Sequence, residues 1–142
     1  MAYARHLAAL RTRLLTDPEL VTILSNDPTR IHLEHIFDVA EPLYPLITIS
    51  QAGAQDAVWV PRTYDPCRIQ FDCFVRKNDQ PGLAMRMSER IYALCHNEKN
   101  RCSTSEACFH FIARIDEYTP KWESSQNCWR QTSLYLARVT VA

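Results

Sequence analysis

The chain has 142 residues, 46% of them hydrophobic and 23% charged, with sixteen basic side chains set against sixteen acidic ones and only two glycines. That length suits one compact domain burying about 68% of the surface its unfolded form would expose, and the composition excludes a collagen-like or disordered chain. Balanced charge argues against a dedicated DNA binder or a membrane-surface protein, and two glycines leave almost nothing from which to build a phosphate-cradling loop.

The basic set is uneven, thirteen Arg to three Lys. Arginine suits interfaces because its planar fork pairs carboxylates bidentately and is weakly hydrated; a GC-rich genome produces the same bias. The opening "MAYARHLAALRTRLL" is interrupted by Arg5, His6, Arg11 and Arg13, so it lacks the unbroken apolar stretch of a signal peptide. No run reaches the roughly 18 apolar residues of a membrane span. We therefore expect assembly in a reducing cytoplasm, with the cysteines as free thiols.

In chain order, Tyr3, Leu7, Leu10 and Leu14 fall on one stripe and predict an amphipathic helix over residues 2–16. "TDPELVTILSNDP" predicts a short second helix to about Leu24, with Asp17 as cap, Pro18 at the first helical position and Glu19 at the positive end. Ile31 and Leu33 alternate with His32 and Glu34, with His35 a candidate to extend the strand, and "PLITIS" at 45–50 predicts a second strand. Residues 51–66 carry Gly53, Pro61 and Pro66 around the apolar island Val58-Trp59-Val60 and read as a long loop or an extended hairpin.

Residues 67–77 alternate, with Ile69, Phe71, Cys73 and Val75 on one face and Arg68, Gln70, Asp72 and Arg76 on the other; Phe74 alone breaks the pattern. Asp79 then caps a third helix carrying Leu83, Met87, Ile91 and Leu94 to about His96. "NEKNRCSTSE" reads as a polar connection, and strands near 106–118 and 128–141 flank the turn-rich "TPKWESSQN". This order predicts the α+β class, a mostly antiparallel sheet of about four to five strands with helices packed on one face. Residues 1–142 form a single domain in this reading, with two N-terminal helices (2–25), a sheet and third helix (30–141) and the long loop (51–66).

Chemistry is hard to find. The six cysteines form no C-x-x-C or other paired metal spacing. Cys67 and Cys73 stand about 20 Å apart along one strand, too far for a disulfide or a shared metal. His32 and His35 have neither zincin spacing and read as surface or interface residues. Asp116 and Glu117 are adjacent, so on a strand they face opposite ways and cannot flank a substrate together. No nucleophile motif is present. The sequence thus predicts no enzyme, no cofactor, no metal and no catalytic residue. The unusual material is aromatic and basic: Val58, Trp59, Val60, Arg62 and Tyr64 in one loop, and Trp122 with Trp129 around the final turn. Either these residues fold back over the core or they anchor a partner.

The landmarks "LLTDPELVTIL", "RI" at 30–31, "PLYPLITIS", "RIQFDCFV", "LAMRMSERIYALC", "RIDEYTP" and "RQTSLYLARV", taken in order, resemble the tail terminator or tail-completion proteins of long-tailed bacteriophages across nearly the whole chain. Residues 52–66 are longer than that pattern expects, and "ESSQN" replaces a glycine-containing turn. The resemblance implies a homo-oligomeric ring, a hexamer, that caps the tail tube and ends its polymerisation. Its partners would be the tail tube protein and the head-tail connector, with viral DNA passing the lumen without specific binding and no membrane involved. Its place would be the head-proximal end of the virion tail, after assembly in the host cytoplasm. A connector or neck protein of the same virion is the neighbouring alternative, and a small enzyme or ligand-binding domain the remote one.

Overall fold

The computed structural model describes residues 5–34, 43–56, 63–76, 78 and 81–141. Helices α1 (Arg5–Leu14) and α2 (Pro18–Ile23) precede a single 3-10 turn, Pro28–Arg30, and strand β1 (Ile31–Leu33). Then come β2 (Leu46–Asp56), β3 (Thr63–Arg76), α3 (Pro81–Cys95), α4 (Lys99–Cys102), β4 (Ala107–Glu117), β5 (Lys121–Glu123) and β6 (Cys128–Val141). The strands make one six-stranded sheet in the order β1-β2-β3-β6-β4, with β5 pairing β6 beyond the end of β4. Every pairing is antiparallel except β1 with β2.

The α+β class with a mostly antiparallel sheet is thus as the sequence predicts, and three elements go beyond it. Strands β2 and β3 run on to Asp56 and back from Thr63, so of the two readings of 51–66 the described residues form an extended hairpin. The "polar connection" contains α4, whose Cys102 is buried. The turn-rich stretch before β6 holds β5, which raises the strand count to six.

Alternation decides which face of the sheet is covered. Cys67, Ile69, Phe71, Cys73 and Val75 of β3 all enter the main core with Leu7, Leu10 and Leu14 of α1 and Met87, Ile91 and Leu94 of α3. Phe71 meets Tyr135 of β6 edge-on at 5.1 Å, and each large side chain buried this way contributes about 1.5–3 kcal/mol. Phe74 breaks the pattern for a reason: with Leu46 and Cys128 it forms a separate small cluster on the opposite face. Among the described residues the helices therefore cover one face of the sheet. Asp17 caps α2 by accepting from the Leu20 amide at 3.1 Å, and Arg90 of α3 grips the same carboxylate through Nε (3.0 Å) and Nη2 (2.8 Å). That bidentate hydrogen bond holds the Asp17 carboxyl below its ordinary range and ties α2 to α3. No helix of the described residues is long and apolar enough to cross a membrane.

Candidate assembly surfaces

Of the residues singled out by sequence, Val58, Trp59, Val60 and Arg62 lie outside the described residues. Tyr64 is half-buried and lies 5.2 Å from the His6 ring. Trp122 and Trp129 are direct cross-strand partners on β5 and β6, edge-on at 5.3 Å, and Trp129 packs on the main core. The two groups do not meet: Tyr64 pairs with Val139, ten residues along β6 from Trp129, a separation of about 33 Å. The six described cysteines are free. Burial pushes the Cys67 thiol up to about 12 and raises that of Cys73 as well, so both are inert small apolar residues.

The uncovered sheet face carries a polar network. Asp72, buried in the middle of β3, accepts from Arg130 Nε (3.0 Å) and Thr132 Oγ1 (2.5 Å) on one oxygen and from Gln70 Nε2 (2.8 Å) on the other. Arg130 also reaches Glu123 at 3.4 Å. Above them opens a cavity of about 370 Å³ lined by Glu34, Thr48, Gln70, Asp72, Glu123 and Arg130, among others. Polar groups do converge here, on the face opposite the apolar residues of β3. Both oxygens of Asp72 are already occupied, so it braces β3 against β6 and is not poised as a general base. Among the described residues no group of three or more His, Cys, Asp or Glu is placed to hold a metal.

A different surface runs along β4, an outer strand of the sheet. Phe111, Ile115 and Tyr118 are 45%, 51% and 49% exposed. Strict alternation would put Phe109 and Phe111 on one face, but a bulge at His110 shifts the register, so Phe109 faces the core opposite Val139 while Phe111 stands opposite Arg138. Ile115, three residues on from the buried Ile112 and so on the other face, is exposed beside a second irregularity in the ladder. Next to it Arg114 lies 4.0 Å over the Tyr92 ring, which stacks on His96 at 4.4 Å, and Arg114 pairs with Glu117 at 2.8 Å. The Arg114 backbone N–H donates to His96 Nδ1 at 3.0 Å. Sequence reading found this strand and not its exposure, because the bulge at His110 that turns Phe111 outward leaves no residue-type signal.

The fold has a solved counterpart. Over 94% of this chain and 92% of the other, it superposes with a TM-score of 0.62 and 12% identity on a chain from a structure described as "Virion of native gene transfer agent (GTA) particle". No protein-family model and no curated protein sequence matches. The likeness to the virion chain is one of fold: it takes in helices and sheet together, at an identity where side chains are nearly all different.

Proposed function

We propose that this chain is a structural virion protein, the tail terminator of a phage-like particle. In this reading copies of the chain form a ring, a hexamer, that caps the tail tube, ends its polymerisation and joins it to the head-tail connector. The observation that carries the reading is the fold likeness to a virion chain over nearly the full length of both. Its direction agrees with the order of sequence landmarks from "LLTDPELVTIL" to "RQTSLYLARV". The sheet supports it too, since the convergent polar groups around Asp72 are spent on one another and not aimed at a substrate. The protein would act without a cofactor, with tail tube protein and connector as partners. DNA would pass its lumen unbound, as a formal net charge of zero allows.

The test measures solution mass by light scattering, then capture of purified tail tube protein against capture of connector protein. A ring that retains tube protein supports the terminator. Retention of connector protein alone moves the assignment to the neck, and a monomer that binds neither at high concentration removes the virion reading.

A further inference from the structure

We propose that the cavity on the uncovered sheet face is a guanidinium site, which takes an arginine side chain from a partner protein. The proposal stands apart from the ring reading, because it concerns what this face binds and not how many copies of the chain assemble.

The cavity of about 370 Å³ sets three carboxylates, Glu34, Asp72 and Glu123, against one cation, Arg130. Asp72 is satisfied by Arg130, Thr132 and Gln70; the other two carboxylates are not. Glu34 is half-buried just past β1, and its carboxylate has no hydrogen bond or ion pair among the described residues. Glu123 meets Arg130 through one oxygen only, at a long 3.4 Å. A partly desolvated carboxylate is stabilised by a cation beside it, and among the described residues the lining supplies no second one.

Thr48 points to the same occupant by a different route. It is 4% exposed, stands opposite Asp72 in the pairing of β2 with β3 and lines the cavity. Its hydroxyl nonetheless has no partner among the described residues. Buried hydroxyls are ordinarily hydrogen-bonded, so the Thr48 oxygen is an acceptor left open to whatever enters.

The placement of the acceptors selects the cation. Donors are wanted on several sides at once, by a carboxylate beside β1, a hydroxyl on β2 and a carboxylate on β5. A guanidinium carries five N–H groups in a planar fork and is more weakly hydrated than an ammonium. The cavity wall already holds one in this way: Arg130 lies between Asp72 and Glu123, with its Cζ 5.8 Å from the centre of the Phe74 ring. A bare metal ion is a poor match, since among the described residues no three His, Cys, Asp or Glu are placed to share one. The cavity opens on a sheet face that the helices leave uncovered, so a protein surface laid across that face can deliver the side chain.

The experiment titrates the full chain, isotope-labelled for amide shifts, with N-acetyl-arginine amide through the millimolar range expected of one side chain. N-acetyl-lysine amide is the competing cation. Three variants accompany the wild type: Glu34→Gln, Thr48→Val and Glu106→Gln. The last removes an exposed carboxylate that does not line the cavity. We expect saturable shifts at the Thr48, Gln70 and Asp72 amides with the arginine probe, and several-fold weaker binding of the lysine probe. Glu34→Gln should weaken arginine binding at least about tenfold and Thr48→Val about threefold, with Glu106→Gln like wild type. If Thr48→Val fails to fold, Glu34→Gln decides, because that residue lies outside the strands. The site is overturned by an absence of saturable shifts, by shifts confined to other surfaces, by equal binding of lysine, or by equal weakening in Glu106→Gln. None of these outcomes bears on the ring, which solution mass tests by itself.

Discussion

At the scale of single residues, His6 shows how position outranks type. It is a polar residue on α1, yet it is buried, with Nε2 2.6 Å from Gln51 Oε1 and Nδ1 without a partner among the described residues. A carbonyl oxygen only accepts, so Nε2 is the donor in this pair. Burial lowers the imidazole's pKa below its ordinary 6.5, with the Gln51 hydrogen bond opposing. In the unfolded chain the ring protonates below 6.5, while in the folded chain it does so only at lower pH. His6 therefore leaves stability intact above 6.5 and subtracts from it as pH falls from there toward the folded value, by about 1.4 kcal/mol for each tenfold weakening of proton affinity. Melting temperature against pH should drop through this window, and His6→Leu should flatten that drop; an identical acid slope in the variant would acquit His6. The Asp17 cap was readable from its neighbours, because capping is a contact three residues long. Its partner Arg90, 73 residues away, was not, because no local pattern encodes a meeting between two helices.

At the scale of elements, β3 was the easiest to read and β6 the hardest. Alternation in β3 separates apolar from polar residues cleanly. In β6 the buried face carries Gln131, Ser133 and Tyr135 while Leu134 and Leu136 stay half-exposed on the other. Residue type there points the wrong way, and for Gln131 a distant partner explains it: Gln131 Nε2 and Ser88 Oγ both donate to Glu117, at 2.8 and 2.9 Å. On the uncovered face Asp72 and Arg130 join adjacent strands. Asp72→Ala would leave Arg130 beside a desolvated gap and free Thr132 and Gln70 of their acceptor. We expect about 2–3 kcal/mol of destabilisation, read by urea denaturation. Because the network lies outside the main core, the double variant with Arg130→Ala should cost less than the sum of the two singles; full additivity would refute the coupling.

At the scale of the whole molecule, element order carried the fold class, since helices and strands of these lengths have few ways to bury their apolar faces. Order could not say which strand stands at the edge, and so could not find the exposed side chains of β4. It drew attention to Trp59 and Arg62, and for them we propose a partner-binding role: Trp59→Ala with Arg62→Ala should leave the melting temperature nearly unchanged and weaken assembly several-fold. Unfolding of that variant would return the pair to the core. The seal over the flank of β1 matters beyond that strand. Arg11 belongs to the first helix and yet seals the flank of β1, so proteolytic loss of the N-terminal helix would do more than shorten the chain. It would free the backbone beside β1 and at the same time strip Leu7, Leu10 and Leu14 from the core, so one cut would both destabilise the subunit and open its sheet to pairing with other chains.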